Sequence, residues 1–157
     1  MEIKIRLAKI SEVSILDSFQ HGIGIHERPL DSNIKKTGRI RYITQANIKK
    51  LILSKKSIVL IAENNNPIGC GIAGIKENHA SWSKYKYQGF IGMMFVKKEY
   101  RGKGVGKRII KELLGWFKKN KVKDIRLQVY QNNTSSIGFY RKCGFKDYIL
   151  EMIYKPK

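Results

Sequence analysis

Arg101-Gly102-Lys103-Gly104-Val105-Gly106 lies between an apolar run that ends at Val96 and a stretch from about Val105 whose apolar residues recur at helical spacing. Glycines at alternate positions leave backbone N–H groups open to approach, and a helix beginning there adds unsatisfied amides and the positive end of its dipole. Strand, glycine loop and helix N-terminus in that order suit a phosphate group. Two familiar phosphate motifs fail on spacing. The dinucleotide fingerprint needs Gly where Lys107 stands, and the nucleotide-triphosphate loop needs Gly at Arg101 and a hydroxyl residue at Arg108.

The flanks of the loop give the fold class. Tyr87 to Val96 is nearly apolar throughout, which predicts a strand buried on both faces near the sheet centre, with Gly89 and Gly92 marking a bulge or close backbone approach. Val105, Ile109, Ile110, Leu113, Trp116 and Phe117 predict a helix from Gly104 to Lys119. Asp124 to Tyr130 alternates as a strand. Asn133 or Thr134 then caps a helix to about Lys142 that Gly144 ends, and Phe145 to Tyr154 reads as a strand completing the sheet. This strand, loop, helix, strand unit implies a parallel or mixed sheet with helices on its faces.

Upstream, Glu2 to Ala8 reads as a strand, and Ser11 as the N-cap of a short helix carrying Val13, Ile15, Leu16 and Phe19. From His21 to Arg41 the glycines, Pro29 and the charges predict a loop. Thr44 caps a helix over Gln45 to Leu53; Ser57 to Glu63 and Ile68 to Lys76 form a hairpin around Asn64-Asn65-Asn66-Pro67; Asn78 to Lys86 is another loop. No repeat, linker or low-complexity tract appears, so residues 1–157 are expected to form a single domain.

Arg101, Gly104 and Gly106 match the pattern Arg/Gln-x-x-Gly-x-Gly/Ala, and Asn133-Thr134-Ser135-Ser136-Ile137-Gly138-Phe139-Tyr140-Arg141-Lys142-Cys143-Gly144-Phe145 matches Asn-x6-Tyr followed by Tyr-x3-Gly-Phe. Both motifs in that order, from about Gly89 to Phe145, resemble the GNAT family of N-acetyltransferases. The resemblance implies an α/β acyl-CoA N-acyltransferase fold, a twisted, mixed, mostly antiparallel sheet with helices on both faces. Its central strands, ending at Val96 and Tyr130, splay to admit the cofactor arm.

By the same resemblance, amides of Arg101, Gly102, Lys103, Gly104, Val105 and Gly106, with Lys107, cradle the diphosphate of acetyl-CoA. Backbone groups of Met94, Phe95 and Val96 pair with its pantetheine arm like an added strand. Asn133 contacts the pantetheine and Tyr140 donates to the leaving sulfur; no metal is implied. Asn133 suits a plain helix cap equally, and Tyr140 a core position.

The general base is not evident. Tyr87 to Val96 holds no carboxylate or His, and Gln128 stands five residues before Asn133, where bacterial ribosomal-protein N-terminal acetyltransferases carry a Glu. Gln cannot take a proton, which leaves His21, His26, Glu27, His79 or a water chain.

Composition bounds the rest. With 42% hydrophobic residues the 157-residue chain can bury one core. Its apolar runs fall far short of the ~20 residues a membrane span requires, and Met1-Glu2-Ile3-Lys4-Ile5-Arg6 lacks a leader's apolar segment, so a cytoplasmic protein with no membrane partner is expected. Cys70 and Cys143 read as core residues.

A net charge of +20 attracts anions, coenzyme A among them, and argues against polyamine acceptors. The expected function is acetyl-CoA-dependent transfer of an acetyl group to a primary amine of a small molecule or a protein or peptide. The alternative is a non-catalytic basic module of the same fold binding RNA or the ribosome through residues such as Trp82 to Tyr87. No RNA-binding signature accompanies that patch, and Gly104, Gly106 and Tyr140 favour the enzyme. Whether two chains form a homodimer stays open.

Overall fold

Alternation along one strand, Ser57–Asn64 (β2), assigns the helices to the two sides of the sheet. Val59 and Ile61 point into a layer with Val13, Leu16 and Phe19 of α1 (Val13–Glu27) and Ile48 of α2 (Gln45–Leu53). Leu60 and Ala62 point the other way, against Val105, Ile109, Ile110, Leu113 and Phe117 of α3 (Val105–Lys119). The computed structural model describes residues 2–156. Its sheet runs β1 (Lys4–Leu7), β2, β3 (Asn66–Glu77), β4 (Tyr87–Val96) and β5 (Asp124–Leu127) in chain order, antiparallel except for the parallel β4–β5 pair. A last helix, α4 (Thr134–Lys142), follows β5. Among the described residues no helix is long and apolar enough to cross a membrane.

Most elements fall where periodicity and caps place them. Thr44 caps α2 by accepting the Asn47 N–H at 3.2 Å. Asn64 pairs with Asn66, so the hairpin turns on Asn65, which holds a φ of 60°. Gly144, at a φ of 94°, ends α4: its N–H donates to Arg141 O and the Phe145 N–H reaches back to Tyr140 O.

Four expectations outside the 21–41 segment need correction. Ser11 is not a cap; it lies in a 3-10 turn, Ile10–Glu12, and Glu12 precedes α1, its carboxylate taking the Lys9 N–H at 2.8 Å and the Arg6 guanidinium. β4 is not buried on both faces, because Phe90 is half exposed. β5 stops at Leu127 rather than Tyr130, since its pairing with β4 ends there. Phe145 to Tyr154 adds no strand to this sheet; beyond the Phe145 N–H no backbone hydrogen bond is made along it among the described residues.

The expected loop from His21 to Arg41 is helical as far as Glu27. Two polar side chains that break the apolar pattern of α1 are buried on its inner face. Gln20 donates to Asp17 Oδ1 and to Ile43 O, both at 2.8 Å, and its own oxygen accepts the N–H groups of Tyr42 and Ile43. Arg39 and Arg41 close on Asp17 at 2.7 and 2.9 Å. The returning chain, residues 39–43, is thus fastened to α1 by polar bonds as well as by the apolar contacts of Ile40 and Ile43. Gly22 and Gly24 do not break the helix: a Cβ on them would lie 2.7 Å from the Phe95 ring and 2.5 Å from Ile40, so both serve close packing.

The Asp17 network is pH-sensitive. Hydrogen bonding by Arg41 outweighs burial and holds the Asp17 carboxyl down at about 2, below its ordinary 3.8. A depressed folded value contributes stability above the unfolded value, and that stability is lost as pH falls from about 4 toward 2. With the two arginines half exposed, we expect Asp17→Asn to cost about 1–2 kcal/mol at neutral pH and little near pH 2, as read by urea unfolding at both pH values.

Candidate active site

β4 and β5 pair from Gln88 opposite Asp124 to Ile91 opposite Leu127, and no farther. On the other edge of β4, Ile72 faces Met93 while Ala73 faces Ile91, which makes Gly92 the extra residue of a bulge. Gly89 is the expected close approach: a Cβ there would sit 2.5 Å from the Phe117 ring. Beyond Gly92 the two strands part. Met93 to Val96 keep β3 on one side and have no β5 on the other.

Strand alternation sorts the backbone groups along that opening. Lys97 N–H donates to Ile68 O of β3, and the Phe95 carbonyl lies 2.6 Å from where a Gly69 Cβ would stand, so Phe95 faces β3. Met94 and Val96 therefore direct their N–H and C=O to the open side. There the Val96 carbonyl accepts the Arg101 Nε at 2.9 Å, which ties the glycine loop to the strand end.

Within the loop the glycines do different work. Gly102 and Gly104 hold φ values of 73° and 81°, the left-handed region that favours glycine, and open space lies where their side chains would be. Gly104 is the N-cap of α3, and Arg108 is the first residue whose N–H is taken up by a helical carbonyl, that of Gly104 at 3.1 Å. The amides of Val105, Gly106 and Lys107 remain free to face outward. Lys97, Lys98, Arg101, Lys103, Lys107 and Arg108 surround them with one carboxylate, Glu99, in the same stretch. An anion with several phosphate oxygens fits this place. Gly106 instead serves packing, since a Cβ there would lie 3.1 Å from the Phe139 ring of α4.

That contact docks α4 beside the start of α3. Asn133 caps α4, its oxygen accepting the Ser136 N–H at 3.2 Å, and it is buried. Tyr140 is wedged between Phe139 and Phe145, with ring centroids at 5.1 and 5.9 Å. Burial chiefly, with the nearby Cys143 and the charge of Glu27, pushes its phenol up to about 12, so it is protonated at neutral pH.

The end of α1 reaches across the opening. Phe19 stacks on Phe95 of β4 at 5.0 Å, whereas the turn after α1 touches the chain beyond β5, with Tyr130 donating to Asp31 at 3.0 Å and Asn132 to Leu30 O at 3.1 Å. Glu27 accepts the Tyr42 hydroxyl at 2.5 Å. Burial, and then these carboxylates, raise both phenols, Tyr130 to about 12. None of the ion pairs among the described residues uses Glu27 or Asp31.

Of the four candidate bases, only Glu27 lies in this group. His21 already accepts the Ile40 N–H, His26 points to solvent, and His79 sits beside Glu77 on the 78–86 loop. Asp31, Tyr42 and Tyr130 escaped the sequence reading, because residues so distant along the chain meet only once α1 is folded. A cleft of about 440 Å³ between α1, the 66–68 turn and Lys97–Tyr100 contains neither Tyr140 nor Gly104.

Comparison with known proteins places this arrangement. Residues 26–145 match the sequence profile described as "Acetyltransferase (GNAT) family". Over 69 residues the chain is 37% identical to the uncharacterized N-acetyltransferase YobR of Bacillus subtilis, covering 44% of this chain and 28% of that protein. It is 26% identical over 81 residues to N-alpha-acetyltransferase 30 of Saccharomyces cerevisiae, covering 52% and 44%, and 34% identical over 58 residues to the probable spermine N(1)-acetyltransferase of Bacillus subtilis subsp. natto, covering 36% and 38%. The chain thus spans less than half the length of these curated relatives. Among solved structures, the tetramutant of the BH1408 protein from Bacillus halodurans superposes with a TM-score of 0.86 at 16% identity, covering 98% of this chain and 99% of that one. The aminoglycoside acetyltransferase AAC(6')-Ih of Acinetobacter baumannii does so at 0.74 and 16%, covering 99% of each, which at such identity bears on the fold alone. With the profile matching well over half its length, the chain belongs to the GNAT family of acetyltransferases.

Proposed function

We propose that this chain transfers an acetyl group from acetyl-CoA to a primary amine that enters beside Glu27. The observation that carries the reading is the parting of β4 and β5 at Gly92, with the glycine loop tied to the end of β4 through Arg101 and Val96, and with Glu27 at the end of α1, whose following turn touches the chain beyond β5. Acetyl-CoA supplies the activated thioester. Gly102 to Lys107 hold its diphosphate, Met94 and Val96 pair with its arm as an added strand would, and Asn133 lines the same passage.

Glu27 takes the proton that the acceptor ammonium must lose before its nitrogen can attack, directly or through one water. Tyr140 faces the sulfur as a hydrogen-bond donor. Its phenol, near 12, holds its proton more tightly than a thiol with an ordinary value of ~8.5, so it steadies the developing thiolate without being consumed. Asp31 adds a second carboxylate to the acceptor side. Neither acid is ion-paired among the described residues, so a cationic acceptor can meet a carboxylate on a chain of net charge +20, which offsets the objection that the charge raises against polyamine acceptors. A relative's name, probable spermine N(1)-acetyltransferase, agrees with testing such amines first.

Three outcomes are expected. Acetyl-CoA should raise the melting temperature of the protein, and Gly104→Val should abolish that rise while costing about 1–2 kcal/mol from strain at a positive φ. Tyr140→Phe should lower kcat about 100-fold and leave the acetyl-CoA thermal shift intact; the unsubstituted enzyme should show no loss of kcat from phenol ionisation below about pH 10. Glu27→Gln should lower kcat/KM for the amine about 100-fold, again with acetyl-CoA binding unchanged. A Glu27→Gln enzyme as fast as the parent would remove Glu27 from the proposed role.

A further inference from the structure

One lysine of this chain is held beside the proposed acceptor acids by the protein itself. Lys155 Nζ donates to Ser32 Oγ at 2.7 Å, across 123 positions of sequence. Among the described residues no other lysine ammonium donates a hydrogen bond, and the one lysine in an ion pair, Lys56 with Glu77, stands off at 3.8 Å. Ser32 follows Asp31, whose carboxylate takes the Tyr130 hydroxyl, and one turn earlier stands Glu27, whose carboxylate takes that of Tyr42. The N–H groups of Leu30 and Asp31 both donate to the Glu27 carbonyl, at 2.8 and 3.2 Å, so Ser32 and the two acids belong to one turn. The Asn33 N–H first, then the Tyr130 hydroxyl and the charge of Lys155, hold the Asp31 carboxyl below its usual range.

The tail that carries this lysine is loosely held. No backbone hydrogen bond is made along residues 146–156 among the described residues. Arg126 lies over the Tyr148 ring at 4.5 Å, and the next anchor along the chain is Lys155 itself. Ile149, Leu150, Met152, Ile153 and Tyr154, between the two, are all exposed. Seven residues of extended chain reach about 23 Å, so Lys155 can leave Ser32 and move toward Glu27 while α4 keeps its place.

We propose that Lys155 is a self-acetylation site, its Nζ accepting in cis the acetyl group that this same chain transfers. The proposal rests on the acetyl transfer from acetyl-CoA proposed above. The Lys155 ammonium gives one proton to Glu27, and the neutral nitrogen attacks the thioester carbonyl. An N–C bond forms, the C–S bond breaks with its electron pair left on sulfur, and the second proton lost from nitrogen ends on the thiol. The products are an acetylated lysine and free coenzyme A. Two physical facts favour this amine over a free one. On a chain of net charge +20 a free cation, or the lysine of another copy, approaches against repulsion. A lysine on a short flexible tail is present at an effective concentration of about millimolar, whatever the solution holds.

The test is to incubate the full chain with acetyl-CoA and no added amine, then to cut it after glutamate, because the Lys155-Pro156 bond resists trypsin. The peptide from Met152 to Lys157 carries two lysines, and its fragment masses tell them apart. Lys155 should be acetylated about 10-fold faster than Lys157, at a rate unchanged when the protein is diluted, as for a tethered amine. Gly104→Val should bring Lys155 down to the rate of Lys157. Excess free coenzyme A, competing for the same cradle, should do so in the parent, which keeps the test independent of how well the variant folds. Lys155→Arg should leave the thermal shift by acetyl-CoA unchanged. A Lys155 modified no faster than Lys157, at a rate that rises with protein concentration, or indifferent to free coenzyme A would overturn the proposal. If acetyl-CoA still raises the melting temperature and a free amine is still acetylated, that failure leaves the acetyl transfer itself standing; without any thermal shift both fall.

Discussion

The backbone of a strand inside a sheet finds partners along both edges, and beyond Gly92 β4 has a partner along only one. The extra residue shifts β4 against β3 and coincides with the end of its pairing to β5. Beyond it Met94 and Val96 have hydrogen-bonding groups and no strand to receive them. Unpaired main-chain groups at the centre of a sheet are costly in a dry interior and useful in a cleft, where a ligand with its own amides can lie alongside. The positions of the glycine loop, α3, α4 and the end of α1 follow from where that gap opens.

Each neighbour of the gap is fixed by a different kind of force. α3 is held by apolar burial, with Val105, Ile109, Leu113 and Phe117 against β2, β3 and β4. α4 is held by the close fit of Phe139 over Gly106. The chain that returns beside α1 is held largely by polar bonds, since Asp17 and Gln20 are buried and fasten residues 39–43 to the helix. Hydrogen-bonded networks of this kind set position sharply, because a half-satisfied buried carboxylate or amide is expensive. They also place carboxylates on a strongly cationic molecule: Glu27 and Asp31 bond to tyrosines rather than to lysine or arginine.

Much of the site was legible along the chain because its parts are local. The left-handed Gly104, the free amides at the start of α3, the Asn133 cap and the turn at Gly144 each depend on a few neighbouring residues. The same holds for the bulge at Gly92 and the contact at Gly89, both readable as glycines inside a strand. The extent of α1 was not legible. Its inner face carries Asp17 and Gln20, and Gly22 and Gly24 made the stretch after His21 read as a loop; each is explained only by a distant partner: Arg41, Ile43, Phe95 or Ile40.

The sequence by itself therefore determined the strand, loop, helix and strand unit, the glycine loop at the start of α3 and the capped helix that carries Tyr140, since spacing over a few neighbouring residues sets backbone conformation. Tertiary structure alone decided which acids meet Tyr42 and Tyr130, which backbone groups of β4 face the gap, and that the apolar segment 148–154 pairs with no strand among the described residues. These depend on contacts between residues tens of positions apart, and nothing in local periodicity records where a folded chain will bring such residues together.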